Sequence, residues 1–292
     1  MKTVLITGCS SGIGLDAART LHRRGWRVFA TCRREEDCDA LRGEGLESFR
    51  LDYSDPASID AAMAEALDRC DGALDALFNN GAYAMPGAAE DFSYEALEAI
   101  FRANLFGPHE LARRAIRAMR ERGQGRIVNC SSVLGFAYLR FRGAYTATKH
   151  AMEGLTDTLR LELHDTPIEV SLILPGPIRT SIREKSRPHY EKWIDRENSA
   201  WREFYETVLE PRLYDPESRR DPGELGPEAV TAKLIHALES PKPKVRYYVT
   251  RTTWIARLFR ILVPAGAEFI CGPRRANDRR PNGITAIWIL AL

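Results

Sequence analysis

Val4-Leu5-Ile6-Thr7 is a short apolar run, and Gly8-Cys9-Ser10-Ser11-Gly12-Ile13-Gly14 follows it directly. Leu15 to Arg24 then continues with helical spacing. A buried strand, a glycine-rich turn and a helix in that order constrain this chain more than any other stretch. The glycines permit a tight turn and close backbone approach. The helix N-terminus presents free N–H groups and the positive end of its dipole to an anion. This is the context that a dinucleotide pyrophosphate requires. The spacing is G-x-x-x-G-x-G rather than G-x-G-x-x-G, and a tight turn with no ligand is the competing reading. Gly8, Ser10, Ser11, Gly12, Ile13 and Gly14 are its candidate cofactor-binding residues.

Strands and helices go on alternating, which argues for a parallel sheet covered on both faces. Further strands are expected at Trp26 to Thr31, Leu46 to Leu51, Leu74 to Phe78, Arg126 to Cys130, Glu169 to Leu174 and Val245 to Val249. Ser54-Asp55-Pro56 is a helix-start signature for Ile59 to Leu67. Tyr94 to Arg122 reads as one or two long helices, and Tyr145 to His164 as another. No repeat or low-complexity linker divides the chain, so 1–263 is expected to form one domain. Residues 181–226 are expected as an insertion over the carboxyl ends of the strands, where open α/β sheets bind ligands. Trp193, Ile194, Glu197, Trp201, Phe204, Tyr205 and Val208 follow helical spacing there. Core packing and an apolar pocket wall both suit such a stripe. Trp254 to Val263 is an apolar helical segment with two arginines, expected to pack on the protein, with membrane-surface contact as the competing reading. Residues 264–292 are expected as a loosely packed tail. The apolar end of that tail is far shorter than the roughly 20 residues a membrane span needs.

Tyr145 and Lys149 stand four residues apart, on one face of a helix. A free phenol, with a pKa of about 10, is a poor acid-base group near neutrality. A fixed cation nearby favours the phenolate and pulls that value down. Composition adds weight to the pair. The chain has seven Lys against 35 Arg, and Lys149 is the only Lys between Lys2 and Lys185.

With these residues in place, the chain resembles the classical short-chain dehydrogenase/reductase family, whose motifs run along most of residues 1 to 180. Thr7 to Gly14 matches its glycine-rich turn. Asn79-Asn80-Gly81-Ala82 matches its N-N-A-G motif with the last two residues exchanged. Asn104 matches its helix asparagine, and Ser132, thirteen positions before Tyr145, its active-site serine. Pro175-Gly176-Pro177-Ile178-Arg179-Thr180 matches the motif at a strand end. Within the family the chain looks most similar to bacterial aldehyde reductases and to animal retinol and 17β-hydroxysteroid dehydrogenases. The resemblance implies a Rossmann-type doubly wound α/β fold of about seven strands. It implies a catalytic set of Asn104, Ser132, Tyr145 and Lys149. Tyr145 would be the general acid/base, and Ser132 would hold the substrate oxygen. Lys149 would lower the Tyr145 pKa and bind the nicotinamide ribose. Asn104 would hold a water that links Lys149 to solvent. Asp52 would approach the adenine ring, and Asn79 and Gly81 the adenosine ribose. Pro175, Gly176, Ile178 and Thr180 would complete the cofactor site. The insertion would be a substrate lid, and Phe136, Tyr138 and Phe141 could add to its apolar wall. The family often pairs through its two long helices, so a homodimer or homotetramer is expected.

The end of the second strand selects between NAD and NADP, through an acidic residue or an arginine respectively. Thr31 leads into Cys32-Arg33-Arg34, with no acid at the turn. A guanidinium suits phosphate through paired hydrogen bonds, so Arg33 points to NADP over NAD. Glu35, Glu36 and Asp37 suit the start of the next helix. A net charge of +2 gives no argument for nucleic acid. The six cysteines form no C-x-x-C pair and no metal-ligand cluster, which suggests a reducing, cytoplasmic setting and no metal.

The expected function is hydride transfer between NADP(H) and an apolar aldehyde, ketone or alcohol. Two other readings compete. One is a 3-oxoacyl-carrier-protein reductase, which the long aromatic insertion and the C-terminal extension disfavour. The other is a non-catalytic, NADP-sensing regulatory protein, which would have no need of the complete catalytic set.

Overall fold

The run Thr3–Thr7 forms strand β1 with all five residues buried. Its side chains alternate between two cores. Val4 and Ile6 face one, and Leu5 faces the other. The next strand, β2 (Arg27–Cys32), repeats this, with Val28 and Ala30 on one side and Phe29 on the other. Continuous apolar strands of this kind belong to parallel sheets buried on both faces. The computed structural model describes residues 1–215, 221 and 223–262, so the expected tail 264–292 lies outside the described residues.

All seven expected strands are present, each within a few residues of its expected bounds. After β2 come β3 (Glu47–Arg50), β4 (Ala76–Asn79), β5 (Gly125–Cys130), β6 (Ile168–Leu174) and β7 (Arg246–Tyr248). They form one parallel sheet in the order β3-β2-β1-β4-β5-β6-β7. The order reverses between β1 and β4, which opens a crevice at their carboxyl ends. On one face lie α1 (Gly12–Arg23), α2 (Glu35–Gly43) and, from the far end of the chain, α11 (Glu228–Glu239). The other face is covered by α3 (Pro56–Arg69), α5 (Gly107–Arg122) and α6 (Gly143–Glu162). Asp55 caps α3, its side chain accepting from Ala57 N, and Pro56 takes the first helical position.

Tyr94 to Arg122 divides into α4 (Tyr94–Phe101) and α5, joined by a π turn at Arg102–Phe106. The insertion departs from the single stripe its spacing predicts. It forms α7 (Ile182–Lys185), α8 (Arg187–Trp193), α9 (Arg202–Phe204), a π turn at Tyr205–Leu209 and α10 (Glu210–Tyr214). The break follows Ile194, where Asn198 Nδ2 donates to Asp195 Oδ2 at 2.7 Å. Local bonds of this kind compete with the helix. The apolar residues still converge. Tyr190, Ile194, Tyr205 and Leu209 are buried together, with Phe141, Trp201 and Phe204 packed against them.

Helix α12 (Arg251–Leu262) rests on β7 through one edge. Thr253 and Ala256 are buried, and the Trp254 ring lies 4.8 Å from that of Tyr248. The expected packing is therefore partial, because Trp254, Ile255 and Leu258 point outward at 53%, 42% and 56% exposure. Among the described residues no helix is long and apolar enough to cross a membrane.

Candidate active site

The glycine-rich turn has little room for side chains. Gly8 and Gly12 have φ of +71° and +56°, in the left-handed region that favours glycine. A Cβ on Gly14 would stand 2.3 Å from the Gly8 carbonyl oxygen. One on Gly12 would stand 2.9 Å from Thr180 Cγ2, and one on Gly8 would stand 2.8 Å from Gly81 Cα. The turn thus lies between the segments after β4 and β6 that carry Gly81 and Thr180. Ile13 and Ile178 pack against the core beneath it. Ser11 begins α1 without capping it through its side chain, and no acid occupies the first turn. The first N–H groups of α1 are therefore left for another acceptor, and this donor set fits a dinucleotide pyrophosphate. Pro175 accepts from Val133 N at 2.7 Å, and Gly176 packs directly on Thr250.

The exchanged Gly81-Ala82 pair has a local cause. A Cβ on Gly81 would meet Tyr53 Cε2 at 3.0 Å. The Tyr53 hydroxyl donates to Asn79 Oδ1 at 2.6 Å and lies 2.7 Å from Thr7 Oγ1. Thr7 Oγ1 also accepts from the N–H groups of Asn80 and Gly81. Tyr53 therefore fills the space that alanine would take at position 81. Asn79 is buried at the end of β4, and its side chain turns inward, with Nδ2 donating to Asn129 Oδ1 and to the Pro108 carbonyl. The side chain joins β4 to β5 and α5, so a nearby ribose would meet its backbone. Asp52 ends β3 in a turn, accepting from Ser54 N at 2.9 Å. Arg33 is exposed at the end of β2, and its carbonyl accepts from Arg50 Nε.

The four expected catalytic residues lie on β5, α6 and the π turn between α4 and α5. Lys149 is buried, and its Nζ donates to the Cys130 carbonyl at 2.7 Å. The ammonium stands 5.6 Å from the centre of the Tyr145 ring. Ser132 extends from β5, and its Oγ accepts from Leu134 N at 3.1 Å, so it does cap the short turn that follows. Its hydroxyl stands near enough to the Tyr145 phenol to lower that group's pKa. Burial outweighs this and raises the Tyr145 pKa, and the nearby Cys130 thiol adds to the rise. Helical spacing does bring the cation to the phenol's face, but Lys149 is drawn to a carbonyl. Burial also lowers the Lys149 ammonium, against the pull of Cys130 and Glu153.

Asn104 is fully buried in the π turn. Its Oδ1 accepts from Tyr83 N at 3.0 Å, and its Nδ2 donates to the Tyr83 carbonyl at 2.9 Å and to Thr148 Oγ1 at 3.3 Å. The side chain holds Tyr83 in place against α6. The Tyr83 ring stacks on His189 of α8, with centres 3.7 Å apart.

The apolar wall is made differently from the sequence expectation. Tyr138 is 56% exposed. Phe136 turns its ring toward Tyr248. Phe141 carries the contact, stacked on Phe204 at 3.9 Å and edge-on to Trp201. Its φ of +60° aims it at the insertion. Sequence reasoning missed Tyr53, Tyr83, Lys185 and His189, which belong to no motif.

The family profile described as short chain dehydrogenase matches residues 2–191. The chain is 40% identical to an uncharacterised oxidoreductase of Escherichia coli, YbbO, over 90% of this chain and 91% of that one. It is 32% identical to human retinol dehydrogenase 8, covering 84% and 80%, and 30% identical to human 17-beta-hydroxysteroid dehydrogenase type 1, covering 93% and 84%. Two solved structures are similar. One is a single-residue variant of actinorhodin polyketide ketoreductase with NADPH, at TM-score 0.68, 30% identity and 85% and 95% coverage. The other is a short-chain dehydrogenase/reductase from Burkholderia phymatum in complex with NAD, at TM-score 0.70, 25% identity and 85% and 88% coverage.

Proposed function

This chain belongs to the short-chain dehydrogenase family of oxidoreductases, and from that premise we propose that it reduces apolar aldehydes or ketones with NADPH, or oxidises the matching alcohols with NADP. The observation that carries this reading is the convergence of Ser132, Tyr145 and Lys149 beside the crevice at the carboxyl ends of β1 and β4. The nicotinamide, when bound, supplies or takes the hydride. The rest falls to the chain. In reduction, Tyr145 gives its proton to the oxygen that becomes an alkoxide. Ser132 donates a hydrogen bond to that oxygen and fixes it near the phenol. Lys149 holds a positive charge beneath both and can bind ribose hydroxyls. Asn104 acts by position, keeping Tyr83 and α6 in register.

Names among the relatives, retinol and a 17-beta-hydroxysteroid, support an apolar substrate. So does the aromatic cluster of Phe141, Trp201 and Phe204, which the insertion closes as a lid. Arg33 without an acid at the end of β2 supports NADP. No observation favours the carrier-protein or the sensor reading over this one. Absorbance of the reduced nicotinamide at a panel of aldehydes, ketones and alcohols tests the proposal. Turnover with apolar carbonyls and NADPH is expected. Cofactor binding without turnover on any of them would refute it. A cytoplasmic homo-oligomer that pairs through α5 and α6 is part of the same reading. Sedimentation showing a monomer at assay concentration would remove that part.

A further inference from the structure

Lys185 ends α7 in the lid, and its Nζ reaches back across the crevice to the glycine-rich turn. It donates to Ser11 Oγ at 2.6 Å and to Ser10 Oγ at 3.0 Å, across 174 and 175 positions of sequence. Beside it Ser181 Oγ is bonded to Ser11 Oγ at 2.9 Å. The first helix of the lid is thus clasped to the first turn of the fold. Both partners of the ammonium are neutral hydroxyls. Among the described residues no carboxylate lies within 4.0 Å of it. An ammonium has three donors, and two are engaged here.

The surroundings carry more cations than carboxylates. Partial burial lowers the Lys185 ammonium, Asp37 and the Cys32 thiol oppose this, and Arg34 and Arg33 lower it further. Asp37 is already paired with Arg34 at 3.0 Å. Three cations therefore act together at the end of β2 and above Ser10 and Ser11, with Asp37 the one carboxylate among the groups that act on Lys185. Like charges so placed repel unless an anion enters between them. The end of β2 and the first turn are where a dinucleotide fold reads the 2′ substituent of the adenosine ribose.

We propose that Lys185 is a specificity-determining residue, a second cation that binds the 2′-phosphate of NADP(H) together with Arg33 and comes from the lid rather than the sheet. The inference rests on the NADP reading given above. On binding, Lys185 exchanges neutral hydroxyl partners for an anionic one, so that both partners of the bond are charged. The Ser10 and Ser11 hydroxyls become free to donate to the same phosphate. Helix α7 leads directly into α8, which carries Tyr190 of the buried aromatic cluster. The phosphate would then tie the lid down over the substrate side of the crevice as well.

Titration calorimetry of the full chain with adenosine 2′,5′-bisphosphate and with 5′-AMP tests this without turnover, since the two ligands differ only by the 2′-phosphate. The wild-type protein is expected to prefer the bisphosphate. Lys185→Gln keeps a donor for Ser10 and Ser11 and removes the charge. It is expected to weaken the bisphosphate about tenfold and AMP by no more than about twofold. Lys185→Arg is expected to keep most of the preference. No preference in the wild-type protein would bring down the NADP reading and this inference with it. A wild-type preference that Lys185→Gln leaves intact would overturn the role of Lys185 alone, with Arg33 sufficient. Equal loss on both ligands would also overturn it, because they share everything except the 2′-phosphate.

Discussion

Replacing Gly81 by alanine restores the residue that the family's motif carries at this position, yet it is expected to destabilise this chain. The added Cβ would stand 3.0 Å from Tyr53 Cε2, where ordinary contact begins at 3.4 Å. The Tyr53 ring cannot easily retreat. Its hydroxyl is held between Asn79 Oδ1 at 2.6 Å and Thr7 Oγ1 at 2.7 Å. Behind the ring Gly107 already touches the Tyr53 backbone. Extra volume in a packed site costs about 1–3 kcal/mol, a range that already includes the shifts it forces on its neighbours. Taken at about 1–3 kcal/mol in all, the change lowers Tm by roughly 2–10 °C. Thermal unfolding by circular dichroism measures it directly. The decisive comparison is a double-mutant cycle. With Tyr53→Ala in place the obstructing ring is gone, so adding Gly81→Ala should cost close to nothing. The coupling should then match the single-mutant cost, about 1–3 kcal/mol. If Gly81→Ala alone is neutral, or costs the same with and without the Tyr53 ring, the steric account of the exchanged pair is wrong.

Three further outcomes are expected. Tyr145→Phe keeps the ring and removes the proton donor. Turnover followed by nicotinamide absorbance should fall by about 10²–10⁴ while cofactor binding, measured by fluorescence, persists. Arg33→Ala should weaken NADP(H) about ten- to a hundredfold and NAD(H) much less, so equal losses would make Arg33 structural. His189 has its pKa lowered to about 4, first by burial and then by Arg33 and Lys192. The unfolded chain, with a histidine near 6.5, binds that proton more readily, so this contribution is full above about pH 6.5 and is lost as pH falls toward 4. His189→Phe keeps a ring against Tyr83 and does not titrate. Its Tm should decline less than that of the wild-type protein across this window, and parallel curves would show that His189 does not control the loss.

The strands and most helices were legible because the signals that mark them are local. β1 is an apolar run, α3 starts at Asp55-Pro56, and β6 stops at Pro175. The Tyr145-Lys149 pair was legible because helical periodicity alone puts both on one face. What was not legible depends on contacts made far along the chain. Tyr53 belongs to no motif, and only the fold brings it to Gly81. Lys185 reaches Ser11 from 174 residues away. Spacing reveals the cation beside Tyr145 but not the depth of burial around the phenol, which raises its pKa. The insertion was read as one helical stripe because its apolar residues are spaced as in a helix. Periodicity does not register a break at Ile194, or a π turn that admits an extra residue at Tyr205–Leu209. The partners of the Asn79 side chain, Asn129 and the Pro108 carbonyl, are likewise brought to it only by the fold.

The contacts that were not legible share a direction. Thr148 of α6 bonds Asn104, Asn104 holds the backbone of Tyr83, and the Tyr83 ring stacks on His189 of the lid. Four positions before His189, Lys185 grips Ser10 and Ser11. These are two of the insertion's attachments, one reached through α6 and one on the glycine-rich turn. Others lie farther along it, where Tyr205 accepts from Ala88 N, Ser199 donates to Asp91 and Phe204 stacks on Phe141. A stacking contact contributes about 0.5–1.5 kcal/mol, and a hydrogen bond from an ammonium about 1.5–3 kcal/mol. A substrate lid, as proposed for this insertion, needs attachments that can be released, and these two are small enough for that. The strong packing lies elsewhere, in the buried cluster of Tyr190, Ile194, Tyr205 and Leu209 that makes the lid one body. On the proposed reading, any closure would therefore act at the α7–α8 edge, through Lys185 and His189, residues that no motif contains.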